Sequence, residues 1–255
     1  MNTPAEILEI WVGNGIKKAS LPIYKMILLG MLAGVYIGFG AHVFLLATSA
    51  GGTAFESMAA KLVGSALFPV GLMLVILCGA ELFTGNNLLT LALFQKKITP
   101  AGLLKNWITV YLANFAGSVL LAAVLSGSGL YSGAAAERAI AVATAKVSAS
   151  FGEMILRGIL CNILVVLACW FQAGAKDLIG KIFAIWFPIM LFVFAGFEHS
   201  VANMMYIPLG MFLGADVSVG QLLAGNLIPV TIGNLIGGAV FIPVFYHFVY
   251  SSRKA

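Results

Sequence analysis

The chain has 255 residues, 61% of them hydrophobic and only 9% charged. Soluble domains carry about 25% charged residues because they must face water, so this composition excludes an ordinary soluble domain and makes lipid the solvent of most of the surface. The formal net charge of +5 at pH 7 then reads as lysines holding one face of a membrane, and no nucleic-acid partner is expected.

The first segment is not a cleavable leader. Met1 to Lys18 contains Glu6, Glu9, Gly13 and Gly15, and no continuous apolar core precedes a small-residue cleavage site. Residues 4–20 read as an amphipathic helix lying at the interface, with Ile7, Leu8, Trp11 and Val12 on one side and Glu6, Glu9 and Lys17 elsewhere. Apolar runs follow at 25–50, 63–94, 103–126, 151–173, 181–213 and 221–250. At about 20 residues per crossing these are six spans. The runs 63–94 and 181–213 are too long for plain crossings, and each holds a polar interruption, Glu81 to Asn87 and Glu198 to Asn203. Both are expected to be broken helices whose non-helical backbone is buried or lines a cavity, since hydrocarbon cannot satisfy freed N–H and C=O groups.

With the N-terminus inside, Lys17, Lys18, Lys25, Lys96, Lys97, Lys105, Lys176, Lys181, Arg253 and Lys254 fall on the cytoplasmic side, and Lys61, Arg138 and Lys146 outside. Arg157 lies just within the fourth span. This asymmetry predicts both termini in the cytoplasm. One domain is expected over 1–255: an N-terminal helix region 1–24, a first half 25–126, an external Gly/Ala/Ser-rich connection 127–150 and a second half 151–255.

Gly79, Glu81 and Asn86 recur as Gly196, Glu198 and Asn203 at an offset of 117 residues, and Asn114 and Gly117 recur as Asn234 and Gly237 at an offset of 120. Three spans separate the copies, so the copies enter the membrane from opposite sides. The expected fold is therefore an all-α membrane bundle with an inverted 3+3 repeat, its broken second and fifth helices meeting around a path near the midplane. Gly30, Gly34, Gly38, Gly233 and Gly237 mark close helix contacts, and Gly85 is expected to relieve the first break.

Within the breaks, His199 is the foremost candidate, because a histidine at membrane depth either lines a path or satisfies a structural hydrogen bond. Thr84 is its counterpart from the first half, able to bond an anion, His199 or its own broken-helix carbonyl without adding charge. Glu81 and Glu198 would repel an anion, and are read as satisfying backbone and amide groups behind the path. Asn86, Asn162 and Asn203 have similar structural readings. Phe68, Leu72, Leu82, Phe83 and Phe192 either form two apolar constrictions above and below the centre, where ions without water are costly, or serve as ordinary packing residues. Lys146 is either an anion attractor at an external vestibule or a plain solvated lysine. Cys78, Cys161 and Cys169 are read as small buried residues, and His42 and His247 as packing or interfacial ones. There is no P-loop, dinucleotide-binding, HExxH or GxSxG motif, so neither an enzyme, a cofactor nor a metal site is expected.

Cys78-Gly-Ala-Glu-Leu-Phe-Thr-Gly85, Gly158-Ile-Leu-Cys-Asn162 and Gly196-Phe-Glu-His-Ser-Val-Ala-Asn-Met204 together resemble the formate/nitrite transporter family over essentially the whole chain. The resemblance implies an aquaporin-like protomer with its own pore, a homopentamer, and passage of small monovalent anions such as formate, nitrite or hydrosulfide, with transient protonation near His199 as one route. It implies Thr84 and His199 as the facing polar pair, Asn162 as their support and Lys146 as a vestibule lysine. It further implies Phe68 and Phe192 as the outer constriction, and Leu72, Leu82 and Phe83 as the inner one. The Glu-Leu-Phe-Thr-Gly and Glu-His-Ser-Val-Ala-Asn forms lean toward the nitrite and hydrosulfide branches. Obligatory anion/proton symport and a water or neutral-solute channel are the alternatives.

Overall fold

The computed structural model describes residues 1–50 and 53–251. Arg253 and Lys254 of the charge count lie outside the described residues. Helix α1 (Pro4–Ala19) starts in a capping box in which the Thr3 side chain accepts from the Glu6 amide while the Glu6 carboxylate accepts from the Thr3 backbone. Those bonds, the one from the Thr3 amide foremost, hold the Glu6 carboxyl below its usual range. Ile7, Leu8, Trp11 and Val12 are buried along α1 as the amphipathic pattern requires, packed with Leu88, Leu91, Cys169 and Trp170.

Among the described residues six segments are long and apolar enough to cross a membrane: Ile23–Ala47 (α2), Glu56–Leu77, Pro100–Gly127 (α6), Phe151–Gly174 (α8), Leu178–Ala195 (α9) and Gln221–Tyr250. The second of these combines α3 (Ala54–Leu67) with α4 (Val70–Leu77), jointed at Phe68 and Pro69. Large apolar side chains such as Leu28, Leu112, Leu156 and Phe187 are exposed on their outer faces, which only a lipid surround or a partner tolerates.

Both expected breaks are present. Helix α4 ends at Leu77, and the chain runs without regular structure to a short 3₁₀ turn, Gly85–Leu89, and then α5 (Thr90–Phe94). Helix α9 ends at Ala195, and α10 (Ser200–Phe212) begins after His199. The residues that make the breaks possible are Gly79 (φ +81°) and Gly196 (φ +76°), left-handed positions that a side chain would strain. Gly85, expected in that role, is an ordinary member of the 3₁₀ turn. The 127–150 connection is not featureless. It contains α7 (Ala134–Lys146), whose Ala139 and Ala143 are buried and which packs against α10. Cys78 is exposed, against expectation, while Cys161 and Cys169 are buried.

The glycines fix how closely the helices cross. A Cβ on Gly117 of α6 would collide with the Met31 backbone carbonyl of α2, and one on Gly237 of the sixth span would collide with the Ile159 carbonyl of α8. Both crossings are backbone against backbone, so neither neighbour can yield. Gly117→Leu and Gly237→Leu are each expected to destabilise the fold by about 3 kcal/mol or more, the upper range for overpacking. The check is the midpoint of thermal unfolding of the purified protein in detergent, which should fall for both variants.

Candidate functional site: a doubly vestibuled path closed at its centre

At the first break the Phe83 amide donates to Asn114 Oδ1 (2.9 Å), while Asn114 Nδ2 donates to the Gly30 and Glu81 carbonyls (2.8 and 2.9 Å). At the second, the Ser200 amide donates to Asn234 Oδ1 (3.0 Å), and Asn234 Nδ2 donates to the Gly158 and Glu198 carbonyls (2.9 and 3.0 Å). One asparagine thus serves each break with its full amide, and the bonds of one half reproduce those of the other. Satisfying freed backbone groups internally is what lets an irregular segment persist at membrane depth.

Each break also carries a charged cluster. Lys18, at the end of α1, pairs with Glu81 at 2.7 Å and donates to Asn86 Oδ1 at 2.9 Å. Asn86 Nδ2 donates to Glu81 Oε2 and to Asn106 Oδ1, and Asn106 Nδ2 returns to the Lys18 carbonyl. Lys146, at the end of α7, pairs with both oxygens of Glu198 at 2.9 and 3.1 Å. Asn203 Nδ2 donates to Glu198 and to Asn226 Oδ1, and Asn226 Nδ2 returns to the Lys146 carbonyl. Lys18 and Lys146, like Gly30 and Gly158, stand at an offset of 128 residues. The repeat therefore begins before the membrane, with α1 the counterpart of α7. A bond between Tyr111 Oη and Thr231 Oγ1 (2.9 Å) joins residues that are themselves offset by 120, so the axis relating the halves passes between them.

At the centre the duplication stops. Thr84 Oγ1 and His199 Nε2 lie 2.8 Å apart, one from each break, and both residues are buried. His199 is the N-cap of α10, and its Nδ1 accepts from the Ala202 amide at 3.1 Å. An imidazole accepting at Nδ1 carries its hydrogen on Nε2. On this pattern of partners the ring is neutral and donates to Thr84, whose own hydroxyl hydrogen is left to point elsewhere. Asn162 Nδ2 lies within reach of the Thr84 and Asn234 carbonyls and of Asn87 Oδ1 (3.4, 2.7 and 2.8 Å), tying the two breaks together from behind.

Two vestibules approach this pair. One, of about 260 Å³, is lined by Phe68 of the α3–α4 joint, Lys146 of α7, Phe192 of α9 and Glu198 of the second break, among others. The other, of about 210 Å³, is lined by Trp11, Lys18, Glu81, Leu72 and Leu82 among others. Between them is a chamber of only about 10 Å³, walled by Ile37, Phe68, Leu72, Leu82, Val165, Ile189, Phe192 and His199. That space holds one water at most, and His199 is the polar member of its wall.

The structure brings Thr84, His199 and Asn162 together. Phe68 and Phe192 meet edge to face, ring centroids 5.6 Å apart, between the larger vestibule and the chamber. Leu72 and Leu82 stand between the chamber and the smaller vestibule. Phe83, expected beside them, lines neither; its ring is held edge-on by Tyr111 (4.9 Å) and Trp107 (6.3 Å). Lys146 does line a vestibule, yet it is an ion-paired residue with a side chain 16% exposed, not a solvated one. Glu81 and Glu198 do bind the Asn86 and Asn203 amides, as read, and in addition neutralise a lysine each. Lys18, Asn106 and Asn226 were not singled out from the sequence. The 120-residue offset between the two asparagines and the 128-residue offset between the two lysines would have found them.

The profile described as "Formate/nitrite transporter" matches residues 5–248. The chain is 43% identical to "Uncharacterized transporter YrhG" of Bacillus subtilis, over 98% of this chain and 94% of that one. It is 40% identical to "Formate channel BtFdhC" of Bacillus thuringiensis, over 99% of this chain and 97% of that one. A solved structure described as a pentameric formate channel with formate bound matches with a TM-score of 0.79 at 30% identity, covering 89% of this chain and 97% of that chain. The chain belongs to the formate/nitrite transporter family. It is a multi-pass membrane protein of a transporter family, not an enzyme.

Removing one member of a buried ion pair leaves the other charge without compensation. Lys18→Met is expected to cost about 3 kcal/mol, because it strands Glu81, whose side chain is 6% exposed. The double variant Lys18→Met with Glu81→Gln should recover most of that loss. Thermal unfolding of the three proteins decides it: equal midpoints for the single and double variants would mean that the pair does not carry the first cluster.

Proposed function

We propose that this protein is a channel for formate and related small monovalent anions, with a separate pore in each protomer. The observation that carries this reading is the sequence of compartments: a charged vestibule on either side of a small apolar chamber whose one polar wall residue is His199, hydrogen-bonded to Thr84 behind it. Water-filled mouths bring an anion close, and the Thr84 hydroxyl and His199 are the polar groups that replace its lost water where the two breaks meet. The motif resemblance leans toward nitrite and hydrosulfide, but the relatives whose names carry a substrate include formate channels, which puts formate first. The pentameric formate channel among the structural neighbours supports a homopentamer. The lysine distribution supports the cytoplasmic membrane with α1 and both termini inside and α7 outside. The one domain runs over 1–255.

The chamber favours a particular form of passage. Its wall is apolar apart from His199, and an unpaired anion there loses several kcal/mol of hydration. An anion that takes up a proton while still in a vestibule avoids that cost, so anion and proton cross together as the neutral acid. His199, accepting from Ala202 at Nδ1, orients the Thr84 hydroxyl and does not itself need to be charged.

Flux into liposomes containing the purified protein tests the reading, with formate, nitrite and hydrosulfide compared while internal pH and current are recorded. Formate uptake is expected with internal acidification and little current. Flux no faster than in protein-free vesicles would sink the channel reading, and a current matching the substrate flux would sink co-passage. His199→Ala and Thr84→Val are each expected to slow formate about tenfold, the equivalent of ~1.4 kcal/mol at the barrier from one lost hydrogen bond. Phe68→Ala should instead widen the constriction and admit larger monocarboxylates such as lactate, measured in the same vesicles.

A further inference from the structure

The two mouths match in their ion pairs and differ in everything else charged. The smaller vestibule holds Lys18 and Glu81, which neutralise each other. The larger holds the equivalent pair, Lys146 and Glu198, and adds Lys61, Arg138 and Arg157 with no further carboxylate in its wall. Arg157 has a carboxylate near it, Glu153 at 4.0 Å, but both side chains are about half exposed and that contact is screened. Arg138 Nε donates to the Thr48 hydroxyl at 3.0 Å, and Lys61 stands over the Phe194 ring at 5.2 Å; among the described residues neither has a carboxylate within 4.0 Å. Within the cavity wall the cations exceed the carboxylates by three, with Glu153 beside Arg157 just outside it.

The fold does not require them. The Glu198 amide donates to the Arg157 carbonyl at 3.3 Å, and in the other half the Glu81 amide donates to the Leu29 carbonyl at 3.2 Å. The architecture uses the backbone at this position, and leucine serves it equally well. By the same offsets Arg138 corresponds to Ile10 and Lys61 to Leu178. Ile10 and Leu29 thus correspond to Arg138 and Arg157, and Leu178 of the second half to Lys61 of the first, so three positions that are apolar in one copy of the repeat are cations in the other copy, all on the wall of one cavity of about 260 Å³.

We propose that Lys61, Arg138 and Arg157 form an anion-capture site at the α7 mouth, without a counterpart at the α1 mouth. It takes small carboxylates and comparable oxyanions. A monocarboxylate held there is delivered to the Phe68–Phe192 constriction, whereas a dianion is held and cannot follow, since one proton leaves it charged in the dry chamber. The site cannot drive net transport against a gradient. It raises occupancy at one mouth, so the channel saturates at lower substrate concentration from that side, and added salt weakens the effect because exposed charges are screened beyond about 8 Å at physiological ionic strength. This rests on the passage reading given above.

The test uses right-side-out and inside-out membrane vesicles, with formate added to one side at low ionic strength. Half-saturation is expected at about tenfold lower formate from the α7 side, and oxalate should inhibit from that side alone. Lys61→Gln, Arg138→Gln and Arg157→Gln together should make the two sides alike and abolish the salt dependence, with maximal flux retained. If the triple variant does not fold, each single variant should raise half-saturation from the α7 side only. Equal half-saturation from both sides of the wild-type protein overturns the proposal, as does an asymmetry that survives the substitutions. An asymmetry in the opposite vesicles supports the site and overturns the orientation instead. Oxalate titration of the purified protein by calorimetry separates the site from transport: binding weakened about tenfold in the variants supports capture even without flux, and no wild-type binding overturns it.

Discussion

Unpaired backbone inside a membrane is the constraint on which the rest of this structure depends. Two helices stop partway across, after Leu77 and Ala195, and the amides and carbonyls so released at buried positions such as Glu81, Phe83, Glu198 and Ser200 must be paired within the protein. Asn114 and Asn234 meet that demand from the neighbouring helices, each using both ends of its amide. For their side chains to reach, the helices carrying them must cross α2 and α8 at backbone contact, which is why Gly117 and Gly237 lie where a methyl group would strike a carbonyl. The close crossings and the broken helices are one requirement seen at two places.

Charge enters the structure on the same terms. Glu81 and Glu198 are 4% and 5% exposed, and a carboxylate at such burial requires hydrogen-bond and ion-pair partners. Each receives a lysine from the C-terminal end of a helix outside the bundle proper, α1 or α7, and an asparagine amide from its own half-helix. The interfacial helix is therefore part of the core machinery. Its apolar face docks on the segment that follows the first break and on α8, and its last turn supplies the cation. Duplication of the whole unit, helix included, gives two vestibules of similar size on opposite faces.

Much of this was legible in the sequence, and what was not has physical reasons. Broken spans could be read because Glu81 and Glu198 interrupt runs otherwise too long and too apolar. The repeat could be read because Gly, Glu and Asn recur at a fixed offset within each break. The lysines escaped because loops of unequal length change that offset from 117 to 128 along the chain, so no single shift aligns all members of a cluster. Helix α7 escaped because its Ala-rich sequence carries little hydrophobic pattern, its buried positions being Ala139 and Ala143. The left-handed glycines were visible as repeat members but not as hinges. Gly85 looked equally suited, and only backbone geometry tells a glycine with positive φ from one inside a 3₁₀ turn. Phe83 is placed at the inner constriction by its position within the first break and by the family resemblance, and it does not line that constriction. Adjacent residues in an irregular segment point different ways, and Tyr111 and Trp107 claim its ring.

Function resides where the two halves differ. His199 faces the chamber opposite Leu82, which the repeat makes its equivalent, and Thr84 corresponds to Val201. Asn162 occupies the place of Gly34, where the Asn114 carbonyl leaves no room for a side chain. A perfectly symmetric centre would be either wholly apolar or doubly polar. The first offers an anion nothing in exchange for its water, and the second invites continuous water through the gate. On the proposed passage, a single hydrogen-bonded pair, with one half supplying the imidazole and the other the hydroxyl, leaves one donor for a passing solute in an otherwise apolar chamber. That pair can form only where both breaks meet, so neither half makes it alone. The symmetric scaffold holds the breaks, and the asymmetric centre is where the proposed selection acts.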